Sequence, residues 1–402
     1  MKRFVITGIG MRNKGSQAMF LSLYCGLKAI FKDCDIVGFA LPYDSPERYA
    51  FELLPWDGGS RLLFSHRLHR VPLLAECSSL LGRFKQCRGK IGAIDRALRE
   101  ADAIFDASGY NLGSGWSKQV AYSLLSTIKV ARQYNKPIVL MPQSFGPFDW
   151  DGKTDVRFLR LIRAELTYPV RIFARERQGY DCLASLGLNN IAVSADMVIR
   201  EKCFPLASDV YASATRPAID FPDESAVGCI LNENVFRIGT SDAARRLYAR
   251  IIDKLVDDGE KVYILRTSSR DVGYIATVLN AVKNAERVRV IGGEYSSPEL
   301  IDIMKRFKYV IASRYHSIIF GYRNGVPAIM LGWASKYKEL AQLMEQEEYV
   351  VDIRDGNTDI ILEKMRRMRE DHGKESTRIR KCLKRVQATS VVQEAVQVLG
   401  LQ

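Results

Sequence analysis

Apolar residues along this chain fall in short runs, each followed by a turn and then by apolar positions at helical spacing. The run Arg3-Phe4-Val5-Ile6-Thr7 predicts a buried strand. After Gly8 and Gly10, residues Phe20, Leu23, Tyr24, Leu27, Ile30 and Phe31 recur with the period of a helix, and Ile36-Val37-Gly38-Phe39-Ala40 predicts the next strand. Strand, helix and strand make a βαβ unit, which calls for a parallel sheet and a right-handed crossover. Further strands are predicted at 103–105, 138–141, 171–174 and 191–193, with a helix from Gln119 to Tyr134. The rhythm stops between Ala207 and Ser225, where Pro217 and Pro222 stand among Ser, Asp and Thr. It restarts with strands at 227–231, 262–265, 288–291, 309–312 and 328–331 and a helix from Ala243 to Val256. Ser297-Pro298-Glu299 reads as a helix start, with Ser297 as N-cap and Pro298 first in the helix.

The expected fold is α/β, with two Rossmann-like doubly wound domains facing a cleft and a helical tail. The expected divisions are 1–206, a linker at 207–225, a second domain at 226–350 and a basic helical tail at 351–402. Ligands of such sheets bind beyond the carboxyl ends of the strands, so the cleft is the default site.

The composition, 47% hydrophobic and 26% charged over 402 residues, excludes a disordered chain and a small disulfide scaffold. The formal net charge of +13 calls for an anionic partner. No apolar run approaches the length of a spanning helix, and the opening Met1–Gly8 is broken too soon by glycine for a secretory leader. The expectation is a cytoplasmic protein. The cysteines at 25, 34, 77, 87, 182, 203, 229 and 382 form no C-x-x-C pair, so free buried thiols are expected rather than metal ligands or disulfides.

Several motifs compete for the chemistry. Gly8-Ile9-Gly10 lacks the third glycine of a dinucleotide fingerprint, since Asn13 holds that place. Gly15, Ser16 and Gln17 open the next helix, whose N–H groups suit an anion, or they simply form a tight turn. Asp33-Cys34-Asp35 spells a D-x-D, but at the amino end of a strand, where a turn is expected and a metal is not. Ser313-Arg314-Tyr315-His316 follows a strand and opens a helix. Arg314 offers a planar fork for phosphate or carboxylate, and His316 can donate to an anion or exchange a proton. The other reading of His316, a buried ring bonded to backbone, stays open on spacing alone.

Ser313-Arg314-Tyr315-His316, then Gly325-Val326-Pro327, then Gly332-Trp333-Ala334-Ser335-Lys336-Tyr337, resembles the C-terminal signature of the polysaccharide pyruvyltransferase family. Other segments agree in order: Gly8 to Ala18; Asp102 to Gly109 with Asn111; Lys136-Pro137 through Gln143-Ser144-Phe145-Gly146-Pro147; Ala174-Arg175-Glu176-Arg177; and Asp196. Ala107-Ser108-Gly109 stands where the family more often has a run of glycines. The resemblance implies a GT-B-type fold and transfer of a pyruvyl group from phosphoenolpyruvate to a sugar. That sugar belongs to a cell-surface polysaccharide or its lipid-linked precursor, and the product is a ketal. It implies no metal and no organic cofactor.

On that footing the second domain is the donor side and the first the acceptor side. Arg314 and His316 are the candidates for the donor phosphate, with Ser313 beside them and His316 also the candidate acid. Arg175 is the candidate for the donor carboxylate, and Lys336 adds charge. Asn13, Gln17, Gly109, Asn111 and Gln143 are candidates for the acceptor or the cleft floor. Asp196 is a candidate base, together with Asp106 and Glu176.

Two basic stretches lie outside these motifs. Residues 61–99 interleave Arg61, Arg67, Arg70, Arg83, Lys85, Arg88, Lys90, Arg96 and Arg99 with leucines, which suits either an anionic membrane surface or a solvated face. The tail carries Arg366, Arg367, Arg369, Arg378, Arg380, Lys381, Lys384 and Arg385, with the same two readings. No nucleic-acid motif accompanies the charge. Two other functions remain on the same architecture: a glycosyltransferase using a nucleotide sugar, and a non-catalytic basic surface-binding protein. The presence of Arg314, His316 and Arg175 argues against the latter.

Overall fold

The structure is a computed structural model that describes residues 1–41, 48–70, 89–152, 155–212, 218–238, 240–355 and 357–401. The chain divides into two compact units, Met1–Ala214 with Thr389–Gln402, and Thr215–Ala388. In the first unit the strands are β1 (Lys2–Ile9), β2 (Cys34–Ala40), β3 (Leu53–Pro55), β4 (Ala103–Asp106), β5 (Ile138–Gln143), β6 (Arg171–Ala174) and β7 (Ile191–Val193). They form one parallel sheet in the order β3-β2-β1-β4-β5-β6-β7. Helices cover both faces, so the strands are apolar almost throughout. Val5, Ile6, Val37, Phe39, Ile104, Phe105, Val139 and Leu140 are all buried.

The order of strands reverses between β1 and β4, and their register sets Thr7 opposite Asp106. This is the switch point of a doubly wound sheet, where ligands bind. Gly8 leaves β1 there with φ +76, and a Cβ on it would lie 2.4 Å from Ser108 Oγ. Only glycine fits both the conformation and the gap.

The second unit repeats the design with β8 (Ala226–Ile230), β9 (Val262–Leu265), β10 (Val288–Ile291), β11 (Phe307–Ala312), β12 (Ala328–Gly332) and β13 (Val350–Asp352). The order is β10-β9-β8-β11-β12-β13, again parallel, with its switch point between β8 and β11. The helix Ser297–Met304 starts one residue earlier than expected. Its N-cap is Ser296, whose hydroxyl and N–H both meet Glu299 at 2.7 and 2.6 Å, so Ser297 and Pro298 are its first two residues.

The stretch after β13 is divided between the units. Helix Thr358–Val386 belongs to the second and buries Ile361, Met365, Met368, Ile379 and Cys382. Much of its charge is matched locally: Arg366 pairs with Glu363 and Glu370, Arg367 with Glu348, Arg369 with Asp258 and Arg378 with Glu375. That is the pattern of a solvated helix face. Helix Val391–Val398 returns to the first unit, where Val391, Val392, Ala395 and Val396 are buried. Val392 packs on Gly26, with 3.0 Å left for any Cβ there.

Other expectations change with the structure. Cys25 and Cys203 are joined by a disulfide with their Cα atoms 5.8 Å apart, so these two are not free thiols. Cys34, Cys229 and Cys382 are free and buried, and Cys182 is half-buried. Cys77 and Cys87 lie outside the described residues. So do Arg83, Lys85 and Arg88, on which much of the membrane-surface reading rests. The described flanks of that segment turn most of their apolar residues inward, though Leu62 is exposed. Leu63 and Phe64 are core residues, His69 stacks on Phe64 at 4.2 Å, and helix Ile91–Glu100 buries Ile94, Ala97 and Leu98. Arg61 also turns inward, donating to the Trp56 carbonyl at 2.8 Å. Of the D-x-D, Asp33 is in a turn while Cys34 and Asp35 open β2 at its amino end, with Asp35 paired to Arg3 at 2.6 Å. Among the described residues, no helix is long and apolar enough to cross a membrane.

Replacing Gly8 by Ala should cost about 2–4 kcal/mol, from the left-handed backbone and the clash with Ser108. Urea denaturation of the variant measures this, and a loss below about 0.5 kcal/mol would show that the β1 turn relaxes around a side chain.

Candidate functional site

In the second unit, β11 ends at Ala312 and the chain turns through Ser313 and Arg314 into helix Tyr315–Arg323. Ser313 is fully buried. Its carbonyl accepts from Asn232 Nδ2 at 2.8 Å and from Tyr337 Oη at 2.9 Å. Its hydroxyl donates to the Ile230 carbonyl at 3.2 Å and meets Tyr248 Oη at 2.7 Å. Burial pushes the Tyr248 phenol up, so it keeps its proton and donates to Ser313. The turn is thereby pinned from three elements.

Arg314 does not cap its helix. Its fork turns instead to Asp271, with Nε donating to Oδ2 at 2.7 Å and Nη2 to Oδ1. Asp271 is 1% exposed and also accepts the Glu233 N–H at 3.1 Å. A bidentate pair of this kind fixes the guanidinium plane. Among the described residues Nη1 takes no protein acceptor, and 21% of the side chain stays exposed.

The half-buried His316 ring stands perpendicular to Tyr315, centres 5.5 Å apart. Lys336 opens the helix after β12, and its Nζ lies 5.3 Å from the Tyr315 ring centre and 5.7 Å from that of Tyr337. Arg314, His316 and Lys336 thus gather around Tyr315 at the carboxyl ends of β11 and β12. Two helix N-termini start there, and neither N-cap residue caps with its own side chain. Cations beside positive helix ends make an anion site.

The first unit differs. Asp106, at the end of β4 and 2% exposed, accepts from Thr7 Oγ1 at 2.8 Å, Ser108 N at 3.1 Å and Gln143 Nε2 at 3.2 Å. Asn111 donates to Ser108 Oγ at 2.9 Å, and the Gly109 carbonyl accepts from Ser144 N at 3.0 Å. Beside this floor, Arg175 donates through Nε to Glu176 at 3.0 Å, Nη1 to Asp196 at 2.9 Å and Nη2 to Ser144 at 2.6 Å. All three charged side chains are at least 95% buried.

Sequence reading brought Arg314, His316, Ser313 and Lys336 to one place, and the structure gathers them. It gathers Gly109, Asn111 and Gln143 on the first unit's floor, with Arg175 and Asp196 in the adjoining network. Arg175 is not turned outward as a carboxylate clamp, because two buried carboxylates need its charge. Asp196 spends one oxygen on Arg175 and the other on the Val198 N–H at 2.8 Å, as N-cap of helix Met197–Arg200. Asn13 is likewise a cap. Its Oδ1 accepts from Gly15 and Ser16, and its carbonyl accepts from Gln17 N at 2.8 Å, so those N–H groups are spent within the chain. Gln17 is wholly buried.

Asp271, Asn232, Ser144 and Tyr248 were missed. Asn232 and Asp271 stand shortly after the carboxyl ends of β8 and β9, a position that could have flagged them. Tyr248 lies on the apolar face of a helix and gave no signal. Among the described residues, no group of three His, Cys, Asp or Glu side chains could hold a metal ion.

Replacing Arg175 by Met should destabilise the protein by about 3–5 kcal/mol, because Asp196 and Glu176 lose their buried countercharge. Chemical denaturation reads this. A near-neutral result would mean that the two carboxylates find other donors.

No curated protein sequence matches the chain. Solved structures do. UDP-GlcNAc 2-epimerase from Neisseria meningitidis bound to UDP-GlcNAc is 11% identical, with 100% of each chain covered and a TM-score of 0.59. The spinosyn rhamnosyltransferase SpnG complexed with thymidine diphosphate is 12% identical, with 100% of each chain covered and a TM-score of 0.56. UDP-GlcNAc 2-epimerase from Methanocaldococcus jannaschii is 12% identical, covering 91% of this chain and 92% of that one, with a TM-score of 0.53. At such identities the likeness shows the fold, two Rossmann-like domains of GT-B type with a C-terminal helix. The sequence model described as "Polysaccharide pyruvyl transferase" matches residues 13–335, from the first helix cap to the start of the helix that carries Lys336, and the chain belongs to that family.

Proposed function

We propose that this transferase takes its pyruvyl group from phosphoenolpyruvate. It closes a ketal on two hydroxyls of a sugar in a cell-surface polysaccharide or its lipid-linked precursor. The observation that carries this reading is the set Arg314, His316 and Lys336 around Tyr315, at two helix starts not capped by their N-cap side chains. Phosphoenolpyruvate bears a phosphate and a carboxylate, and such a set suits both. Arg314, oriented by Asp271, offers Nη1 to one phosphate oxygen. Lys336 places a second cation beside Tyr315.

His316 is the acid in this scheme. A proton delivered to the methylene carbon of the enol makes the adjoining carbon electrophilic. One sugar hydroxyl adds there, and a second displaces phosphate to close the ketal. Phosphate leaves toward the same cations that bound it, so one site serves both stages. No metal and no organic cofactor enters these steps. Asp106 is the candidate base for the sugar hydroxyl protons.

The GT-B fold likeness also fits a nucleotide-sugar glycosyltransferase, and donor binding separates the two. Phosphoenolpyruvate at 100 times its Kd should stabilise the protein by about 2.7 kcal/mol against thermal unfolding. Stabilisation by a nucleotide sugar and none by phosphoenolpyruvate would establish the glycosyltransferase instead. His316→Ala should lower pyruvyl transfer by roughly 10²–10⁴-fold while the protein stays folded. Near-normal transfer in that variant removes His316 from the chemistry. Transfer should persist in excess EDTA, and loss restored by magnesium would contradict the scheme.

A further inference from the structure

In the first unit, the loops that follow β4 and β5 are tied to each other. Ser114 N donates to the Pro147 carbonyl at 2.8 Å, and Ser114 Oγ to Asp149 at 2.6 Å. Gly146 N donates to the Leu112 carbonyl at 2.9 Å, and Tyr110 Oη to the Gly146 carbonyl at 3.0 Å. The first loop closes over the Tyr110 phenol. A Cβ on Gly113 or Gly115 would lie 2.5 or 2.8 Å from Tyr110 atoms, so glycine is needed at both places.

This braced rim carries Trp116. Its backbone is held on both sides, with its N–H donating to Gly113 at 3.2 Å and its carbonyl accepting Trp150 Nε1 at 2.8 Å. Yet Trp116 is 46% exposed, whereas Trp56 and Trp150 are 2% and 6% exposed. The fold thus fixes the position of an indole that the core does not use. Trp116 lies in the loop that follows β4, the loop that also carries Gly109 and Asn111.

We propose that Trp116 is the stacking platform for the acceptor, taking the C–H face of a pyranose on its indole. This rests on the reading above that the acceptor is a sugar. One face of a pyranose presents several polarised C–H bonds, which suit the negative face of an aromatic ring. The hydroxyls project sideways from such a stack, and Asp149, exposed on the adjoining loop, is a carboxylate that accepts from them. Gly115 and Ser117 flank Trp116 and are exposed, which leaves room for a ligand beside the indole; the exposed apolar side chains Tyr122 and Val156 lie on the helices that follow the two loops. A side chain whose backbone is already held also costs less to order on binding.

The test needs no knowledge of the natural polymer. Methyl glycosides of glucose, galactose and mannose are titrated against the whole protein without donor, followed by saturation transfer to the sugar protons. At least one glycoside should give a signal that Trp116→Ala abolishes and Trp116→Phe largely restores. With that glycoside as acceptor, Trp116→Ala should raise its KM about tenfold or more and leave kcat and the phosphoenolpyruvate KM within about twofold. No Trp116-dependent signal from any glycoside, or an unchanged acceptor KM in the folded Ala variant, overturns the proposal. Trp116-dependent sugar binding without pyruvyl transfer would uphold the platform and overturn the reaction.

Discussion

A carboxylate taken out of water must be met by donors on each oxygen, and that requirement shapes both ends of this protein's chemistry. Asp106, Asp196 and Asp271 are each at most 2% exposed; Asp106 ends β4, and the other two lie in the segments that follow β7 and β9. What meets them is what the site is made of. Asp271 draws in the Arg314 fork and leaves one edge of it exposed. Asp196 and Glu176 draw in Arg175 and leave it nothing to offer outward. The same pairing of Arg with Asp therefore yields a partly exposed guanidinium in one unit and a buried strut in the other. The difference lies in how many acceptors surround the guanidinium.

Helix starts divide the units in the same way. In the first unit, Asn13 spends its side chain on the N–H groups of its own helix. In the second, Arg314 occupies the equivalent place after its strand and turns away to Asp271, while Ala334 has no side-chain acceptor at all. The positive helix ends that remain lie beside Lys336 and His316. The net charge of +13 says little about this arrangement, since many basic residues of helix Thr358–Val386 answer to local carboxylates. Placement beside a strand end, rather than the sum, makes an anion site.

Most of the sheet order was legible in the sequence, because strands buried on both faces read as unbroken apolar runs. β3 and β13 were not: each has three residues and carries a Pro or Asp at its end, whereas β7, equally short and also at an edge, is the unbroken apolar run Ile191-Ala192-Val193. The Ser297 cap was misplaced by one position because two serines stand in a row and only the reach of Glu299 chooses between them. Ser313 to His316 was legible as a site because a strand, a turn and a helix met there. Asp271 was not, because its role depends on Arg314, 43 positions away, turning toward it. The Cys25–Cys203 bond joins residues 178 apart, and no local spacing announces it.

Helix Val391–Val398 completes the core of the first unit, and the whole second unit precedes it in the chain. During synthesis, Gly26 and its neighbours wait without their cover until the second sheet has been made. The second unit is one continuous segment and has all its strands beforehand. The natural order of folding on the ribosome is therefore inverted, with the later unit free to finish first. The earlier one holds a partly open apolar surface for that interval, which makes it the part of the nascent chain most in need of a chaperone.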